Sequence, residues 1–185
     1  GFASADMGQA GNRSGTKRAI VRGGVLATVI ALGFVPDGVS ARDALGVFGR
    51  WGAFRDSQTA RCFSIAEPTD PPKQDRQWRP FAAIGFWPRQ NVRGQINIRL
   101  SRELAQGSGA TLIAAGKRCQ LIAGGADAWA KDQRDDAAIV AAIRSGGTMS
   151  VHGRAKTGST VSDHYELRGA ATAIDAAALG CARLR

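Results

Sequence analysis

Residues 94–101 alternate without a break: Ile96, Ile98 and Leu100 are apolar, and Gln95, Asn97 and Arg99 between them are polar. Successive side chains of a strand point to opposite faces, so a period of two means one buried face and one wet face and excludes a helix. The flanking sequence obeys the same rule. Gly107-Ser-Gly109 turns the chain into a strand over 111–114, and Gly116-Lys117 turns it again into one over 119–122, which predicts an antiparallel meander. Upstream, residues 51–55, 61–66 and 81–87 read as strands. Pro68-Thr-Asp-Pro-Pro-Lys-Gln-Asp75 reads as a loop, because its prolines cannot donate to a ladder.

Two segments carry a helical period instead. Asp135 and Asp136 stand where carboxylates complement the start of a helix over 137–144, Ile139, Ala142 and Ile143 form its apolar stripe, and Gly146-Gly147 closes it. Over 170–182, Ile174, Ala178 and Cys181 share one helical face. A hairpin lies between these helices, with arms over 148–153 and 160–168 and a turn at Lys156-Thr-Gly158. In its second arm Val161, Tyr165 and Leu167 point one way, and Ser162, His164 and Glu166 the other. The expected fold is mainly β: one antiparallel, β-sandwich-like domain over 42–185 with two short helices near the C-terminus.

The first 41 residues have a different character. Arg13, Lys17, Arg18 and Arg22 form a basic stretch, an uncharged apolar run over 23–35 follows, and Pro36 and Gly38 precede the small residues Val39-Ser40-Ala41. These regions in this order predict a signal peptide cleaved after Ala41. The apolar run is shorter than the ~20 residues that span a bilayer. The net charge of +10 falls only to +8 without this leader, which holds four basic and two acidic residues. Such an excess favours contact with anionic surfaces and leaves the fold open.

Export places Cys62, Cys119 and Cys181 where disulfides persist. Three cysteines allow one internal bridge. We expect Cys62–Cys181, which would tie a strand to the last helix. Cys119, beside Leu121, is the competing partner, because connectivity is not fixed by sequence. The cysteine spacings match no zinc pattern.

The C-terminal third resembles the invasion-associated locus B family of exported bacterial proteins. The resemblance runs through Ala128-Trp-Ala-Lys-Asp132, Ala137-Ala-Ile-Val-Ala-Ala-Ile-Arg-Ser-Gly-Gly-Thr-Met-Ser-Val151 and Gly158-Ser-Thr-Val-Ser-Asp-His-Tyr-Glu-Leu-Arg-Gly169. It ends at Ala173-Ile-Asp-Ala-Ala-Ala-Leu-Gly-Cys181, and the chain is compatible with it over residues 48–182. These signatures are structural. The resemblance implies a β-sandwich-like domain in the periplasm or at the outer membrane, a supporting role in host-cell invasion or envelope maintenance, and no cofactor. The arginine excess and the odd cysteine depart from the family pattern.

Three patterns bear on chemistry. Arg76, Arg79, Arg89, Arg93, Arg99 and Arg102 are interleaved with Trp78, Phe81, Phe86 and Trp87, a combination suited to phosphates, carboxylates and sugars. The competing reading makes those aromatics core and the arginines a solvated sheet face. His152 and His164 should fall on one outer face of the hairpin, with Glu166 in reach. We read them as exposed imidazoles with no metal, since catalytic zinc normally has three protein ligands. A metal-dependent or hydrolytic envelope enzyme using them is the alternative. Lys156-Thr-Gly158 lacks its companion serine motif outside the leader, Gly116-Lys117 lacks the rest of a phosphate loop, and no G-x-S-x-G is present. The expected function is therefore non-enzymatic: binding of an anionic envelope component or an envelope or host protein, with peripheral membrane association and without nucleic acid.

Overall fold

The short apolar strands can hide only one face each, and they do so by joining a single antiparallel sheet that curls around two helices. In the computed structural model, which describes residues 42–70, 79–182 and 184, the strands are β1 (Asp43–Phe48), β2 (Trp51–Asp56), β3 (Arg61–Ala66), β4 (Phe81–Trp87), β5 (Val92–Arg99), β6 (Ala110–Ala114), β7 (Lys117–Gly124), β8 (Asp127–Trp129), β9 (Thr148–Arg154) and β10 (Thr160–Glu166). Their order in the sheet is β1-β2-β3-β4-β5-β8-β7-β6-β9-β10. The leader expected over 1–41 lies outside the described residues. The mainly β, antiparallel fold with two helices is the one expected, and its layers belong to one continuous ladder.

The ends of that ladder meet through hydrogen bonds to the β10 backbone. Trp51 Nε1 donates to the Glu166 carbonyl at 2.9 Å, and Thr69 N donates to the His164 carbonyl at 2.7 Å, so the free edge of β10 is capped by groups from the opposite end. Asp163, buried on β10, accepts from Ser101 N at 2.8 Å. At Gly169 the backbone approaches Phe48 so closely that a Cβ would strike the Phe48 carbonyl. A side chain there would push the two ends apart.

Helices α1 (Gln133–Ser145) and α2 (Ala170–Ala182) fill the concave side. Ala170, Ala173, Ile174, Ala177 and Cys181 form the buried stripe of α2, and it faces small residues such as Ala53, Cys62 and Ala82. Small side chains on both surfaces let helix and sheet approach closely. The disulfide Cys62–Cys181, with Cα atoms 5.6 Å apart, fixes α2 to β3 and encloses 119 residues of sequence separation. Cys119 is free and half-buried opposite Leu112.

α1 begins at Gln133, four residues before the start at 137 that its sequence suggests. Asp132 is the N-cap and accepts from Asp135 N at 2.9 Å. Asp136 is not a surface helix-start carboxylate: it is 7% exposed and accepts from Ile96 N at 2.8 Å. β8 pairs with β5 only over Asn97–Arg99, so the Ile96 N–H has no strand beside it, and Asp136 supplies the missing acceptor.

Removing the bridge with Cys62→Ala and Cys181→Ala together should cost about 2–5 kcal/mol in denaturant unfolding. Cys119→Ala should leave the midpoint nearly unchanged, and the reverse ranking would discredit the role given to the bridge. Desolvation raises the Asp136 carboxyl above its ordinary value, so the folded state holds that proton more tightly than the unfolded chain. Its contribution is present at low pH and is lost as pH rises through the folded-state value. Asp136→Asn, which keeps an acceptor oxygen, should therefore gain on wild type between about pH 3 and about pH 6 in urea midpoints. A constant or shrinking gap would refute this.

Candidate functional site

Plain alternation would set Arg93 beside Gln95, Asn97 and Arg99 on the convex face. The structure separates them. β4 and β5 pair Gly85 with Gln95 but Phe86 with Arg93, which leaves Gly94 as an extra residue at φ 86°. This bulge needs a conformation that glycine adopts freely. Beyond it, Arg93 shares the concave, helix-side face with Phe86.

There Arg93 meets Arg89. Both line a groove of about 500 Å³ whose other walls are Phe86, Pro88, Val92, Ala178, Cys181 and Ala182. Both arginines are exposed, and neither has an acidic partner within ion-pair distance among the described residues. The floor is apolar and the rim cationic. The remaining arginines of the expected patch lie elsewhere. Arg79 pairs with Glu67 at 3.2 Å, Arg99 forms a two-pronged pair with Asp127 at 3.0 and 2.9 Å, and Arg102 stands exposed in the loop after β5. Arg76 and Trp78 lie outside the described residues.

The convex face of β2–β5 and β8 is aromatic. Phe54 and Phe63 stack with ring centroids 5.6 Å apart. Trp87 lies flat over Gly85, where a Cβ would meet its ring, and Phe54 lies over Gly52 in the same way. Arg61 and Arg42 sit 5.0 and 6.0 Å from the Phe63 ring centre, and Arg99 sits 5.7 Å from that of Phe81. Between these rings and Trp129 runs a cleft of about 610 Å³, with Gln95 and Asn97 among its lining residues. Phe81 and Trp87 are thus half-exposed on this face, whereas Phe86 packs against the core. Sequence reasoning singled out Trp87 but not Phe63, Trp129, Arg42 or Arg61. The Gly-x-aromatic spacing of Gly52-Ala-Phe54 and Gly85-Phe-Trp87 was the signal available for the flat rings.

The imidazoles do come together. Ser162 pairs with His152 and Ser150 with His164 across β9–β10, and the two rings lie edge to face with centroids 6.0 Å apart. Ser162 Oγ bridges them, 3.1 Å from His152 Nδ1 and 3.0 Å from His164 Nε2, and Ser150 Oγ lies 2.9 Å from His152 Nε2. Glu166 is engaged instead by Arg168 at 2.9 Å. Among the described residues no group of three or more histidines, cysteines and acids is placed to hold a metal.

No family model, curated protein or solved structure matches this chain.

Proposed function

We propose that this is an exported, non-enzymatic envelope protein that binds an anionic amphiphile, an acyl chain carrying a phosphate or carboxylate headgroup, in the Arg89–Arg93 groove. The observation that carries the reading is the pairing of an apolar floor with two arginines that no acid among the described residues neutralises. Arginine forks match phosphate and carboxylate, and the slot gives an acyl chain somewhere to go. The other arginines within the described part of the patch have weaker claims, since Arg79 and Arg99 are already paired.

Three further points support export and an envelope role. The signal-like order of residues in the first 41 is one. A disulfide in a domain with an otherwise ordinary core is the second, since such bridges persist in oxidising compartments. The third is the resemblance of residues 128–181 to invasion-associated locus B proteins. The histidine network speaks against a shared metal, since a serine hydroxyl sits between the rings and the nearby Glu166 is turned to Arg168.

Protein recovered from an envelope fraction should begin at Arg42 by mass spectrometry; a chain retained in the cytosol with residues 1–41 attached would overturn the export reading. Purified protein should sediment with vesicles containing phosphatidylglycerol but not with phosphatidylcholine alone, and this should fade as ionic strength rises from about 0.05 to about 0.5 M. Arg89→Ala with Arg93→Ala should abolish most of it, and Arg79→Ala with Arg99→Ala should not. Salt-insensitive binding, or equal loss in both pairs, would send the groove back to being a crease beside α2.

A further inference from the structure

The convex aromatic cleft lies on the other side of the β4–β5 hairpin from the Arg89–Arg93 groove and has its own chemistry. We propose that it is a binding site for an acidic polysaccharide, a short run of sugars carrying carboxylates.

Sheet register lays the cleft out. One cross-strand row runs Ile65, Ala83, Asn97, Trp129 and Ile122, and the next runs Phe54, Phe63, Gly85 and Gln95. Trp87 lies over Gly85 in that second row. The result is a shallow trough with aromatic walls and two amides on β5 between them. A flat ring presents its electron-rich face, which attracts the slightly positive C–H face of a sugar. Because Gly85 has no side chain, nothing props the Trp87 ring on edge. Trp129 is 38% exposed and Ile122 47%, so this is an open surface rather than a core.

The amides decide between occupants. Gln95 and Asn97 project from β5 into an otherwise apolar trough, and neither side chain has a hydrogen-bond partner among the described residues. An acyl chain or an apolar protein face would bury them unpaired, which is costly. Sugar hydroxyls would pair with them. The charge is set at one end: Arg42 and Arg61 flank Phe63, and the Arg61 Nε–H is buried with no acceptor. Asp56 lies 3.7 Å from the far end of that guanidinium and does not reach the Nε. The Arg61 side chain is 31% exposed, so a carboxylate in the trough would meet the outer, solvent-facing edge of the guanidinium and accept from its Nη groups. At the opposite end Arg99 is held by Asp127, so the described residues form no continuous cationic track. That favours spaced carboxylates over the unbroken phosphate run of a nucleic acid, which stacking rings and arginines would otherwise suit.

The test is calorimetric titration of the folded, disulfide-bonded protein with a polygalacturonate fragment, with dextran of equal length and with oligodeoxythymidylate. Polygalacturonate should bind, dextran should bind more weakly, and oligodeoxythymidylate should not compete. Trp87→Ala should weaken polygalacturonate by about tenfold or more. Gly85→Ala, which keeps every ring but lifts Trp87, should weaken it several-fold, and Arg61→Ala should erase the preference over dextran. Arg89→Ala with Arg93→Ala should leave it unchanged, which separates this site from the helix-side groove. Absence of saccharide binding, binding indifferent to both Trp87→Ala and Gly85→Ala, or preference for oligodeoxythymidylate would each overturn the proposal.

Discussion

A sheet of short strands that curls until its ends touch needs something rigid inside it, and the bond between Cys62 and Cys181 holds that filler in place. α2 is mostly alanine on its buried side, so its packing gains little from large side chains. Its hold on β2, β3 and β4 depends on close approach and on the covalent tie. α1 is fastened differently, through the Asp136–Ile96 bond to the sheet and through Arg144, which grips Asp175 of α2 at 2.8 and 3.1 Å. The exposed arginine pair adds little by itself. The buried carboxylate does more, because without it a backbone N–H inside the fold would be left bare.

With the concave face devoted to packing, the convex face and the rim are free for recognition. The two surfaces differ in kind because of two glycines one strand apart. Gly94 adds a residue to β5 and sends Arg93 toward α2, creating a cationic rim over an apolar groove. Gly85 leaves room for Trp87 to lie down, creating a flat platform on the opposite side. A single hairpin thereby serves two sites with different demands.

Much of this fold was legible in the chain. β3, β4 and α2 occupy the residues expected of them, and β2, β9 and β10 lie within a residue or two. β1 was missed because Gly46, at positive φ, breaks its pairing with β2 and its alternation. β8 was missed because three residues carry no period. The sites were less legible. Composition flagged the arginines between 76 and 102, but a count of charges contains neither the bulge at Gly94 nor the acids that neutralise Arg79 and Arg99. The aromatic cleft draws Phe63, Trp87 and Trp129 from three strands far apart in sequence, so only their register brings them together. The histidines were the favourable case: they are close neighbours in one hairpin, and local pairing predicts their meeting.

The position of the bridge also governs when the molecule can be finished. A polypeptide is made from its N-terminus, so Cys62 and Cys119 both exist before Cys181 does. Until the final helix arrives, the thiol that this sequence offers Cys62 is the wrong one, and a Cys62–Cys119 link would join two strands separated by three others in the finished sheet. Correct maturation therefore requires either that Cys62 wait or that an early mispairing be undone by thiol–disulfide exchange.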